Sequence, residues 1–131
     1  DGWTQERGFQ SPEMNSFNHY AYGSIGAWLY QTVAGIEIDP EQPGYKHSVL
    51  RPHVGGGLTH ANAKLKTAYG ELASQWKQGN GKFEWTVTVP ANTTATVHLP
   101  GKDGNKITMD GKSVDGLVQE LESGKYHFVI T

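Results

Sequence analysis

Hydrophobic positions along the chain follow two different periods, and the change falls near Tyr45. Between Asn15 and Gly35, Phe17, Ala21, Ile25, Trp28, Leu29 and Val33 recur at the three-and-four spacing of one helical face, and Ile36 continues the row. This predicts a long helix with that face buried. The opposite side carries Tyr20, Tyr22, Ala27 and Tyr30 instead of the Glu/Lys mixture of a water-facing surface, so the helix is expected to be enclosed over most of its circumference. Gly23 and Gly26 each cost about 1 kcal/mol of helix stability relative to alanine, a loss that close approach of neighbouring helices offsets. Nothing after Tyr45 predicts such helices. The pattern therefore reads as the end of a larger helical body followed by a β domain. Asn15 or Ser16 suits the N-cap, Gly35 suits a left-handed C-cap, and Asp39, Pro40, Pro43 and Gly44 prevent the helix from resuming.

From Tyr45 the period is two. YKHSVLRPHV predicts a strand, in which Pro52 argues for an edge or a bulge. In HANAKLKTAY, Ala61, Ala63, Leu65, Thr67 and Tyr69 alternate with His60, Asn62, Lys64 and Lys66, the signature of a half-buried antiparallel strand. LASQWKQ follows, and Gly79, Asn80 and Gly81 predict a hairpin turn into KFEWTVTV, where Phe83, Trp85, Val87 and Val89 share one face. TATVHL, NKITM, a tight turn at Asp110-Gly111, SVDGLVQEL and KYHFVI complete the set. Seven or eight short strands with turn signals every eight to twelve residues predict an antiparallel β-sandwich of jelly-roll type. The expected domain boundaries are a helical segment over residues 1–38, a linker over 39–44 and the sandwich over 45–131.

Length and charge narrow the function. The 131 residues suit one domain, or one small domain plus part of another. A formal net charge of -2 gives no basic stripe to track phosphates, which excludes nucleic acid as an expected partner. The absence of cysteine removes disulfide and thiolate chemistry. No apolar run reaches membrane-spanning length, so no membrane partner is expected.

Catalytic chemistry is sparse in this chain. His47, His53 and His60 are six and seven residues apart, which fits neither a helical zinc pair nor a finger, so no metal or other cofactor is expected. Neither a nucleophile elbow nor a phosphate-binding loop occurs. Asp1, Glu6 and Glu13 precede the helix and invite comparison with the paired carboxylates of glycosidic bond cleavage, but as loop residues they read first as solvated. Among the tryptophans, Trp28, Trp76 and Trp85 fall in apolar rows and are expected in the core, while Trp3 is the best candidate for an exposed ring. His19, near the positive end of the helix, is placed to make a structural hydrogen bond or to contact a ligand.

At these residues the chain resembles a known family. SFNHYAYGS, PGYK, YGELASQW and PANTTA, in this order and spacing, are similar to the C-terminal end of the bacterial α-L-rhamnosidases, inverting glycoside hydrolases. The resemblance covers nearly the whole chain. It implies that residues 1 to about 38 end an (α/α)6-barrel catalytic domain and that the sandwich packs against it. It also implies that the parent releases terminal α-L-rhamnose from glycosides or polysaccharides with inversion. The family's general base lies in a W-E-R-W-D-G-W segment; since this chain begins DGW, the glutamate would stand three residues before Asp1, and the general acid further upstream. The resemblance thus leaves no catalytic residue in this chain and carries over one substrate contact, His19. The fragment alone is expected to be inactive. Two rival readings are a free-standing carbohydrate-binding module built around Trp76 or Tyr69, and a sandwich that serves structure only.

Overall fold

The computed structural model describes residues 3–9 and 23–131. Two short strands, β1 (Trp3–Thr4) and β2 (Gly8–Phe9), form an antiparallel ribbon. Helix α1 (Ser24–Trp28) runs directly into a π-helical turn over Leu29–Val33, closed where the Ala34 amide donates to the Leu29 carbonyl at 3.0 Å. The earlier part of the predicted helix and its cap candidates Asn15 and Ser16 lie outside the described residues. Its end agrees with the sequence reading, because Gly35 takes φ 72°, a conformation open to glycine at no steric cost.

Ten strands follow: β3 (Ile36–Ile38), β4 (His47–Leu50), β5 (His60–Thr67), β6 (Gly70–Gly79), β7 (Lys82–Val89), β8 (Thr94–His98), β9 (Ile107–Met109), β10 (Lys112–Ser113), β11 (Val118–Leu121) and β12 (Gly124–Ile130). They make two sheets, one in the order β10-β9-β12-β7-β6-β5 and one in the order β11-β8-β4-β3. The antiparallel sandwich expected from the alternating patterns is therefore present. One pair departs from it, since β4 runs parallel to β8 with His47 beside Thr94 and Leu50 beside Val97. Such a pair needs a long crossover, and β5 to β7 supply it through the other sheet.

The turns obey their sequences closely. Gly79 pairs with Lys82 across Asn80 (φ 52°) and Gly81 (φ 74°), and Met109 pairs with Lys112 across Asp110 (φ 52°) and Gly111 (φ 80°). Two consecutive positive φ values make the type I′ turn whose twist matches the flanking strands.

The core lies between the sheets. Leu72, Trp85, Val87 and Phe128 from the larger sheet meet Ile36, Leu50, Ala95 and Val97 from the smaller, all buried. The Trp85 and Phe128 rings are 6.0 Å apart, and Trp76 stacks on Phe83 at 5.9 Å. Trp76 and Trp85 are in the core as expected.

Three sequence readings need correction. Trp28, expected in the core, is 53% exposed, because among the described residues nothing covers that side of the helix. Pro52 marks neither an edge nor a bulge; β4 stops at Leu50, before the proline can remove a ladder bond, and Pro52 is buried beyond it. Finally, Ile36–Ile38 forms a strand that pattern alone assigned to the helix row and the segment after it. Ile36 pairs with Leu50 and Ile38 with Ser48, so backbone bonds join residues on both sides of the 39–44 segment.

Candidate functional site

The helix end is bolted to the sandwich by polar atoms inside an apolar core. The indole N–H of Trp76 donates to the Val33 carbonyl at 2.8 Å, and Ser74 Oγ donates to the Ala34 carbonyl at 2.6 Å while accepting from the Trp85 indole N–H at 2.9 Å. Buried polar groups must be paired, and here the partners are carbonyls at the helix C-terminus, which find no donor within the helix itself. Arg51 N–H donates to the Gly35 carbonyl at 2.8 Å and His53 N–H to the Thr32 carbonyl at 3.0 Å. Outside this cluster the Tyr30 hydroxyl donates to the Lys64 carbonyl at 3.2 Å.

That anchoring holds the C-terminal end of the helix, and among the described residues the turns before it stay uncovered. Val33 and Ala34 enter the core, whereas Ile25 (54% exposed), Trp28 and Leu29 point outward. Beside them Leu29, Tyr30, Val33, Ala61 and Ala63 line a hollow of about 250 Å3. Apolar side chains of this size, contiguous on one turn after another, mark a surface built for contact with another body.

A second cluster, this one polar, covers the outside of the smaller sheet. The Thr96 hydroxyl donates to Glu120 at 2.7 Å, so its oxygen accepts from His47 Nε2–H at 3.0 Å. His47 Nδ1 lies 2.6 Å from the Thr94 hydroxyl, which donates to it in this tautomer. Next to them Arg51 Nη2 is 3.1 Å from His98 Nε2. A guanidinium only donates, so His98 Nε2 accepts and the ring is neutral. Burial and then the Arg51 charge lower the His98 pKa, against smaller opposing effects of Glu37 and Glu120. These groups are bonded to one another.

The residues singled out in the sequence do not assemble into one site. His19, Asp1 and Glu13 lie outside the described residues, as does the Trp3 side chain. Glu6 is exposed on the turn between β1 and β2. His53 and His60 are exposed, His47 belongs to the polar cluster, and no group of three metal-ligating side chains occurs among the described residues. Trp76 is 2% exposed with its N–H committed to Val33, so it cannot serve as a sugar platform. Tyr69 is exposed, with the Lys46 ammonium 5.3 Å from its ring centroid. The outward stripe at Trp28 lies where the sequence pattern, apolar on both sides of the helix, calls for neighbouring helices.

Residues 35–113 match the family described as the bacterial alpha-L-rhamnosidase C-terminal domain. The chain belongs to this family. Residues 1–33 match a second description, the bacterial alpha-L-rhamnosidase 6 hairpin glycosidase domain. An alpha-L-rhamnosidase of Streptomyces avermitilis is 41% identical over 99% of this chain, and one of Formosa agariphila 40% identical over 86%. The chain spans 13% and 12% of their lengths. Among solved structures, the Streptomyces avermitilis alpha-L-rhamnosidase complexed with L-rhamnose superposes with a TM-score of 0.76 at 41% identity, covering 97% of this chain and 13% of that one. The alpha-L-rhamnosidase of Dictyoglomus thermophilum gives 0.78 at 27% identity, covering 86% and 14%. The two family matches meet at residues 33 and 35, where the helix ends and Gly35 turns the chain into β3.

Proposed function

We propose that this chain works as the C-terminal part of an α-L-rhamnosidase that releases terminal α-L-rhamnose from glycosides or polysaccharides by single displacement with inversion. In this reading the carboxylates of the reaction belong to the catalytic barrel, and His19 contacts the bound rhamnose. The sandwich is chiefly structural. The observation that carries it is the outward stripe of Ile25, Trp28 and Leu29 on a helix whose C-terminal end is bonded into the sandwich. A barrel packed on that stripe would bury apolar area at roughly 25 cal/mol per Å2 while the Ser74 and Trp76 bonds hold the two bodies together. The division into 1–38, 39–44 and 45–131 is proposed with one shift, Ile36–Ile38 going with the sheet in which it pairs.

The test is hydrolysis of an aryl α-L-rhamnoside. The 131-residue chain alone should give no turnover above a His19→Ala control. The longer polypeptide read from the same frame, with a glutamate three residues before Asp1, should hydrolyse it and release the inverted anomer first. There, His19→Ala should raise KM. Turnover by the short chain, or a longer chain that retains configuration, refutes the proposal.

A further inference from the structure

The outer face of the six-stranded sheet has chemistry that neither the core nor the helix stripe uses. Pairing register puts Asn62 opposite Gln75, Gln75 opposite Thr86, and Thr86 opposite His127, a continuous row of amide, amide, hydroxyl and imidazole across β5, β6, β7 and β12. All four alternate with inward residues (Ala61 and Ala63, Ser74 and Trp76, Trp85 and Val87, Tyr126 and Phe128) and so point away from the core. They line one depression of about 300 Å3. Neighbouring strands lie about 4.8 Å apart, so the row offers hydrogen-bonding groups at the spacing of a sugar ring.

The charge on this face is opposite to that of the chain. Lys64 and Lys66 stand on β5, Lys77 on β6, Lys82 on β7 and Lys125 on β12, against Glu71 and Glu84. Glu71 pairs with Lys64, and Glu84 with both Lys77 and Lys82. At the far margin the Asp110 carboxylate accepts from the His127 amide at 2.9 Å. Lys66 and Lys125 have no ion pair among the described residues. A chain of net charge -2 thus presents a positive face, with at least one cation on each of four successive strands.

We infer that this face binds a carboxylated polysaccharide, laid across the strands along Asn62, Gln75, Thr86 and His127. The amides and hydroxyl bond the ring hydroxyls, while Lys125, two residues from His127 on β12, and Lys66, four residues from Asn62 on β5, meet carboxylates on the same side of the row. With Lys64, Lys77 and Lys82 held by Glu71 and Glu84, the face keeps an excess of positive charge at Lys66 and Lys125 that complements an anionic polymer. This goes beyond rhamnoside hydrolysis, and its failure would leave the catalytic proposal intact.

Affinity electrophoresis of the 131-residue chain in gels containing polygalacturonate tests it. Retardation is expected at low ionic strength, with loss in 1 M salt, where charges are screened within about 3 Å. Lys66→Gln and Lys125→Gln should each weaken retention about threefold, the worth of one exposed ion pair, while Lys102→Gln on the β8–β9 loop should not. Asn62→Ala and Gln75→Ala, which leave the charge unchanged, should weaken it by a similar factor, and fully methyl-esterified polymer should not retard the chain. Absence of retardation, an equal effect of Lys102→Gln, or retention indifferent to the amide variants and matched by dextran sulfate would reduce the face to a weak ion exchanger and overturn the inference.

Discussion

Replacing Ser74 by alanine removes one oxygen that serves two buried partners. Oγ accepts from the Trp85 indole N–H at 2.9 Å and donates to the Ala34 carbonyl at 2.6 Å, and Ser74 and Trp85 are both fully buried. In Ser74→Ala the indole N–H is left in an apolar core with no acceptor, at a cost of about 1–3 kcal/mol. Loss of the bond to Ala34 adds about 1 kcal/mol. The small apolar gain of alanine over serine does not offset this, so a loss of about 3 kcal/mol is expected. For a chain of this length that corresponds to a fall in Tm of roughly 10 °C. Urea unfolding followed by circular dichroism should show a lower midpoint at unchanged m. The mechanism is checked by repeating the change in a Trp85→Phe background, where no indole N–H can be orphaned. There Ser74→Ala should cost about 1–2 kcal/mol less, a coupling of the size expected for residues in direct contact. Equal costs in the two backgrounds, or a loss below about 1 kcal/mol in the native one, would show that Ser74 is not the junction argued here.

Three further outcomes follow from the same structure. Gly35→Ala should destabilise more than Ser74→Ala, since φ 72° disfavours any side chain and the new Cβ would lie 2.2 Å from Pro52 N and 2.3 Å from Arg51 C, both backbone atoms; soluble yield and urea midpoint read it directly. Lys77 first, then Lys82, hold the Glu84 carboxyl down to about 2 by hydrogen bonding, so this group stabilises the fold above its ordinary value near 4.5 and the contribution disappears as pH falls toward 2. Glu84→Gln should therefore flatten the stability profile between pH 5 and 2, and an unchanged slope would refute the pairing. His98 has the opposite proton balance: its pKa is lowered in the fold, the unfolded chain binds the proton more readily, and stability drops as pH falls below about 6.5. His98→Gln should lose part of that slope, measured by urea midpoints at pH 7.5 and 5.5.

The sandwich was legible because its strands bury one face and wet the other, and period two reports that difference without knowledge of partners. KFEWTVTV is β7 residue for residue, and the two hairpins at Asn80-Gly81 and Asp110-Gly111 follow from the need for consecutive positive φ. Strand β3 was not legible. Three residues carry too little pattern to separate Ile36 from the preceding helical row, and its pairing with β4 depends on a partner outside any local window. The parallel pair β4 and β8 escaped for the same reason, since nothing local in HSVL or TATVH encodes direction.

Trp28 shows where periodicity stops being informative about burial. The apolar row Ile25, Trp28, Leu29 and Val33 reads as one buried face, yet only Val33, at the anchored end of the helix, enters the sandwich, and the other three are exposed. Helical periodicity reports contrast between faces; it does not say which body covers each. The feature that carried more information was the lack of contrast, with Tyr30 and Ala27 opposite Leu29 and Trp28 and no charge between Gly23 and Ile36. A helix without a polar side needs two apolar neighbours. The sandwich is one, met through Val33 and Ala34, and the exposed stripe is the part of the helix that a second neighbour has still to cover.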